Sequence, residues 1–236
     1  PDFSAYADDP DGSHIHGSGS HLSSHDEKAR NIAMMYGMMT MLDEHVGRIL
    51  DKLDALGLTE RTLVCYTTDH GDFLGQHGLT QKAIHHYEDL LKVPLVVSMP
   101  GTIPEGRVSE ALQSTVDLPQ TFLDIAGLPV PRRMAGVTET GVWRGQSDTL
   151  RSHVIVENQH QPTTMNLRTF VTDRYKLTVH YNRSYGELYD LETDPGEYVN
   201  LWDHADKQAL KQALLLAFIH GEMAKAPLPM PRIAGA

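Results

Sequence analysis

Apolar residues recur every three or four positions from Glu27 to about Leu56, at Ile32, Met35, Tyr36, Met39, Leu42, Val46, Ile49, Leu50 and Leu53. That period predicts one long amphipathic helix. Asp26 is placed to cap its start and Gly57 to end it. The methionines at 34, 35, 38, 39 and 41 read as core filler against a sheet and not as a soft-metal box, because flexible thioether chains fill irregular gaps. Thr62 to Thr67 (Thr-Leu-Val-Cys-Tyr-Thr) is short and apolar almost throughout, which predicts a strand covered on both faces of a parallel sheet. A second strand is predicted from Leu95 to Met99, stopped by Pro100-Gly101, so that helix and strands alternate as βαβ layers do. A further helix is predicted from Asp117 to Ala126, with Asp117 as N-cap, Pro119 in the first turn and Gly127 as the stop.

Residues 127–150 are rich in turn chemistry and show no period, and they read as a linker to a subdomain. Beyond them, short β-type runs at His153 to Glu157, Leu167 to Val171, Tyr175 to His180 and Glu187 to Leu191 predict a small antiparallel sheet. Asp206 to Met223, with Leu210, Leu214, Ala217 and Phe218 on one face, predicts the helix that covers it. The Pro-rich tail from Pro227 to Ala236 reads as extended; Leu228, Met230 and Ile233 make it a candidate strap on its own domain or on a second copy in a homo-oligomer. The organisation is therefore an irregular His/Gly/Ser-rich segment over 1–26, an α/β body over 27–150, a small α+β subdomain over 151–226 and a tail over 227–236.

Composition narrows the function classes. The 236 residues carry 20 Lys and Arg against 31 Asp and Glu, a net charge of −11, which argues against a general nucleic-acid or membrane-surface binder. Any site for an anion must then be positive locally. The single cysteine excludes an internal disulfide framework and leaves the redox compartment open.

Candidate chemistry concentrates between the two predicted strands. Asp69-His70-Gly71 falls at the carboxyl end of the first, where ligands gather in α/β sheets, so Asp69 and His70 read as a metal-binding pair with Gly71 turning the backbone beside them. His14, His16, His21 and His25 lie in the irregular N-terminal segment, without the fixed spacing of a metal site.

Asp69-His70-Gly71, Leu74-Gly75-Gln76-His77-Gly78-Leu79, Lys82, Tyr87-Glu88-Asp89 and Val93-Pro94-Leu95 closely resemble the sulfatase family, part of the alkaline-phosphatase-like superfamily. Tyr36, Asp43, Val46-Gly47-Arg48 and Leu56-Gly57-Leu58 resemble the helix before that stretch in sulfatases. Arg174-Tyr175-Lys176-Leu177, Glu187-Leu188-Tyr189-Asp190-Leu191, Asp194-Pro195-Gly196-Glu197 and Asn200-Leu201 resemble their small C-terminal subdomain. The resemblance implies an α/β fold: part of a mixed or parallel sheet with flanking helices, plus a small antiparallel-sheet subdomain with a covering helix. It implies a sulfate-ester hydrolase in which Asp69 and His70 hold a divalent ion (Ca²⁺, Mg²⁺ or Mn²⁺) and Lys82 contacts the sulfate and the leaving-group oxygen. His77 lies in a family motif, where it holds the loop or touches substrate. His85 and His86 fall near the pocket mouth, and His14 or His16 lines the pocket.

The resemblance also sets an expectation of incompleteness. Sulfatases attack with a formylglycine made from a Cys-x-Pro-x-Arg motif upstream of Asp-His-Gly, whereas Cys65 is followed by Tyr66-Thr67-Thr68. The chain is expected to be the C-terminal portion of a sulfatase, partnered by a formylglycine-bearing N-terminal half and a small sulfated substrate, with no nucleic acid and no membrane. Thr80-Gln81, in place of a bulky aromatic pair, leaves substrate class open. The alternatives are a phosphonate monoester hydrolase or phosphodiesterase of the same superfamily, and a non-catalytic module that retains the fold.

Overall fold

Ser24 starts the first helix, two residues ahead of the predicted cap at Asp26. In the computed structural model, which describes residues 24–225 apart from 83, 133 and 162–164, the Ser24 hydroxyl accepts from the Glu27 N–H at 3.2 Å. The Glu27 carboxylate in turn accepts from the Ser24 N–H at 2.8 Å, closing a capping box. The helix, α1 (His25–Ala55), stops where Gly57 takes a left-handed φ of 62° and the Leu58 N–H donates back to Leu53 O at 3.0 Å. No residue of α1 is buried; Met34, Met38, Met39 and Met41 stand about half exposed. The expectation that they fill a core is corrected: the 3.6 period identifies an apolar face, but among the described residues it is covered only in part, as at Ile32, Met35 and Val46.

After α1 come β1 (Val64–Thr67), β2 (Phe73–Leu74), β3 (Thr80–Gln81), the single-turn α2 (Glu88–Leu91) and β4 (Leu95–Ser98). β1 pairs with β4 antiparallel, Val64 opposite Ser98 and Thr67 opposite Leu95, and β2 pairs antiparallel with β3. This corrects the expected parallel arrangement of the two strands. A parallel pair needs a crossover that carries the chain back along the sheet, usually a helix; the described residues of 68–94 hold only the short β2–β3 hairpin with its 3₁₀ turn and one turn of α-helix, and the chain returns in the opposite direction. Nor is the pair covered on both faces, since Tyr66 and Val96 are exposed.

The chain divides into two compact units between Gly106 and Arg107. In the second unit, α3 (Leu118–Ile125) follows one 3₁₀ turn, and the short α4 (Thr140–Trp143) falls inside the stretch read as a featureless linker. That stretch is pinned to α3 by polar contacts instead of by a hydrophobic period. The fully buried Asp117 does not cap α3 with its side chain; it accepts from the N–H groups of Ser114 at 3.0 Å and Val137 at 2.8 Å and pairs with Arg151 at 2.5 Å. The Glu139 N–H donates to Thr121 Oγ1 at 2.9 Å, and Trp143 Nε1 donates to Gln113 Oε1 at 2.8 Å. Gly136 is required for this approach: a Cβ there would meet Val116 O, Asp117 Oδ1 and Gln120 Nε2 at 2.5–2.6 Å.

The subdomain sheet forms where the alternation places it: β5 (Val154–Gln161), β6 (Met165–Val171), β7 (Tyr175–His180) and β8 (Gly186–Asp190), antiparallel and in sequence order. Phe170, Leu177 and Leu188 point to one face and are buried beneath Leu214 and Phe218 of α5 (Gln208–Ala224), with the rings of Phe170 and Phe218 stacked at 5.5 Å. On the other face Thr169, Lys176, Thr178 and Glu187 are also buried. There the threonine hydroxyls bond to each other at 2.7 Å, and Lys176 pairs with Glu197. Leu214→Ala is expected to cost roughly 2–3 kcal/mol, the lower range for deleting a buried leucine that sits at the edge of its cluster; urea unfolding followed by circular dichroism checks it. No described helix is long and apolar enough to cross a membrane. The segment before Ser24 and the predicted tail from Pro227 lie outside the described residues.

Candidate active site

The chain leaves β1 at Thr67, and the next three residues form the first half of the site. His70 Nδ1 lies 2.7 Å from Gly71 O. A carbonyl only accepts, so Nδ1 carries the proton and the lone pair is left on Nε2. Nε2 stands 3.7 Å from Asp69 Oδ2 and 3.3 Å from Lys82 Nζ. Asp69 Oδ1 accepts from the Thr68 hydroxyl at 3.2 Å and from the His70 N–H at 3.1 Å. Charge on the His70 ring, when both its nitrogens carry protons, holds the Asp69 carboxyl below the usual carboxylate range. Behind them, the Gly71 N–H donates to Leu90 O at 2.9 Å. A Cβ on Gly71 would sit 1.8 Å from Asp89 O, so only glycine lets this turn lie against the start of α2.

The second half is the stretch around the β2–β3 hairpin. Gly75, His77, Gly78 and Gln81 all take left-handed backbone, and the turn is closed by the Gly75 N–H donating to Leu79 O at 2.9 Å. For His77, at φ 53° and ψ 17°, this conformation carries a cost that surrounding contacts must offset. Its ring lies parallel to Tyr87 at 3.8 Å, and Nε2 is 4.0 Å from Asp89 Oδ2, with the His77 side chain 4% exposed. A stack of this kind contributes ~0.5–1.5 kcal/mol, against ~0–1 kcal/mol for an ion pair with a partly exposed carboxylate, so of these two contacts the stack is centred on the larger value. Tyr87 is itself buried and meets Phe73 edge-on at 6.2 Å.

Among the residues singled out from sequence, the structure thus brings together Asp69, His70 and Lys82. His85 lies by the Tyr87 ring, centroids 6.2 Å apart; His86 is buried. His14 and His16 fall outside the described residues. Sequence reasoning missed Tyr87 as the ring on which His77 rests and Gly71 as a contact with α2. The Tyr87-Glu88-Asp89 motif was visible, but nothing in its spacing says which rings stack on it.

As a cation site, the Asp69–His70 pair offers one carboxylate and one imidazole nitrogen, with the imidazole's other nitrogen locked by a backbone carbonyl as metal-ligating histidines commonly are. That donor set fits a hard or borderline divalent ion. It fills only part of a coordination shell: among the described residues no three His, Cys, Asp or Glu side chains come together to hold a metal.

Residues 75–222 match the family model described as N-sulphoglucosamine sulphohydrolase, C-terminal, and residues 5–128 match the one described as Sulfatase. The N-acetylglucosamine-6-O-sulfatase of Bacteroides thetaiotaomicron is 32% identical over 185 residues, covering 75% of this chain and 33% of that protein. A solved protein in complex with its substrate D-glucosamine-2-N,6-O-disulfate superposes with a TM-score of 0.75 at 29% identity, covering 79% of this chain and 39% of that one. The phosphonate monoester hydrolase of Agrobacterium radiobacter superposes with a TM-score of 0.78 at 24% identity, over 86% of this chain and 43% of that one, a likeness of fold alone. The chain spans about a third of the length of the curated relatives it matches.

Proposed function

The chain belongs to the sulfatase family, and from that premise we propose that it forms the C-terminal part of a metal-dependent enzyme that hydrolyses sulfate monoesters. The observation that carries the reading is the convergence of Asp69, His70 Nε2 and Lys82 Nζ at the end of β1. Asp69 and His70 hold the divalent ion, Ca²⁺, Mg²⁺ or Mn²⁺, which when bound offsets the charge of the sulfate oxygens. Lys82 contacts the sulfate and the oxygen through which the ester is cleaved, and supplies positive charge or a proton there as the leaving group departs. The turn at Gly71 and the stack at Tyr87 fix these groups before substrate arrives.

A formylglycine nucleophile belongs to sequence outside these 236 residues, since Cys65 has no Cys-x-Pro-x-Arg context. Without a nucleophile the remaining groups stabilise charge and nothing attacks sulfur. In this reading residues 27–150 are the end of the catalytic domain and 151–226 its C-terminal subdomain, and the open apolar face of α1 packs on the N-terminal portion. The relatives named for N-acetylglucosamine 6-sulfate and solved with a glucosamine disulfate favour a sulfated amino sugar as substrate.

The test is a substrate panel on the whole, metal-loaded enzyme: glucosamine 6-sulfate, an aryl sulfate, a phosphonate monoester and a phosphodiester. Sulfate release with at least a few-fold preference over the phosphorus esters is expected. The reverse preference assigns a phosphonate monoester hydrolase, and inactivity on all four assigns a module that keeps the fold without the chemistry.

A further inference from the structure

The two halves of the site are referenced to the same few residues. The His70 turn is tied to Asp89 and Leu90 by backbone alone, through the Gly71 N–H bond to Leu90 O and the absence of room for a Cβ against Asp89 O. The hairpin that leads to Lys82, itself closed by the β2–β3 pairing, reaches the same place by side chains: the His77 ring lies flat on Tyr87 with its Nε2 facing Asp89, and Phe73 meets Tyr87 edge-on. Gln81, next to Lys82, is paired with Phe73 of β2, so Lys82 moves with the hairpin, and its position follows from where His77 and Phe73 dock that hairpin on Tyr87. We propose that His77 is a positioning residue: clamped on Tyr87, it sets the loop that brings the Lys82 ammonium to His70. The functional meaning of this clamp rests on the proposed role of Lys82 at the ester, but the clamp itself is a matter of geometry.

Because the His70 turn is held on α2 by backbone and the hairpin is docked there by side chains on Tyr87, removing the His77 ring loosens Lys82 and leaves His70 in place. The contact can be read in the 236-residue chain without any turnover, from the ¹³C resonances of reductively dimethylated lysines, which keep their charge and one N–H. The Lys82 signal is identified by its loss in Lys82→Arg, and His70→Ala gives its position without the imidazole neighbour. His77→Asn, chosen because asparagine accepts left-handed backbone, is expected to move the Lys82 signal to the His70→Ala position and to abolish any further shift on adding His70→Ala. Tyr87→Leu is expected to do the same, while Tyr87→Phe, which keeps the ring, leaves the signal at its wild-type position.

An unmoved Lys82 signal in His77→Asn overturns the proposal. Should that variant not fold, the tyrosine pair decides, and equal signals in Tyr87→Leu and Tyr87→Phe overturn it. Unimpaired turnover in Lys82→Ala whole enzyme sinks the catalytic reading instead, and leaves the clamp standing or falling on the spectrum.

Discussion

Asp69→Ala in the whole enzyme is expected to abolish divalent-metal binding and to lower kcat/KM by roughly 10³-fold or more, whereas Lys82→Ala keeps the metal and loses ~10²–10³ in kcat. Removing one preorganised group that stabilises a developing charge typically costs ~10²–10³ in rate. Loss of a ligand removes the whole ion together with everything it neutralises, so its effect is the larger. Among the described residues no third His, Cys, Asp or Glu side chain joins Asp69 and His70 that could keep the ion in place of the lost carboxylate. Lys82 touches His70 only through its ammonium, so its removal spares both donors. Metal content by mass spectrometry and steady-state kinetics on the same preparations separate the two residues. The loss in Lys82→Ala should be greater for alkyl than for aryl sulfates, because a poor leaving group depends more on charge or a proton supplied at its oxygen. An Asp69→Ala protein with unchanged metal and activity makes the assignment of ligands untenable.

The subdomain was legible in the order and nature of its elements, although β5 runs four residues beyond the expected end at Glu157, and the reason is local. In β6 and β7, Phe170, Leu177 and their alternating neighbours meet within a few residues of each other, so period 2 fixes strand, register and buried face together. α5 is read equally well, because Leu214 and Phe218 are one turn apart and land on that same face. The region of α1 and β1 was read correctly as elements and incorrectly as packing. Periodicity names the apolar side of α1 but not its cover, and a run such as Thr62 to Thr67 looks the same in a parallel sheet as in an antiparallel pair. The stretch after α3 was missed because its order comes from Asp117, Thr121 and Gln113, single polar groups that bond to chain some 18 to 30 residues away and leave no period. In the candidate site, the motif named Asp69, His70 and Lys82, whose side chains the structure brings close together. The side-chain packing that sets them, His77 on Tyr87 and Gly71 against α2, depends on three-dimensional contacts that a motif does not encode.

The same polar knot makes the second unit sensitive to alkaline pH. Glu139 is fully buried; burial and the neighbouring Asp117 carboxyl push its own carboxyl up to about 8, with the Ser114 backbone and Arg151 pulling the other way less strongly. A group whose folded value is raised above its unfolded one holds a proton more tightly when folded. Its contribution is fully present below about pH 4.5 and is lost progressively as pH rises through about 8. Raising pH from 6 to 9 is therefore expected to destabilise the unit by on the order of 3 kcal/mol, because up to about pH 8 the unfolded carboxyl gains by ionising while the folded one is kept neutral by burial and by Asp117. Glu139→Gln, which keeps the shape and never ionises, should flatten this dependence and be the more stable protein at pH 9. Trp143 lies one helical turn beyond Glu139 and is buried, so its fluorescence in a Trp202→Phe background reports this region directly. Urea midpoints for wild type and Glu139→Gln that run parallel between pH 6 and 9 would show that some other group carries the alkaline transition.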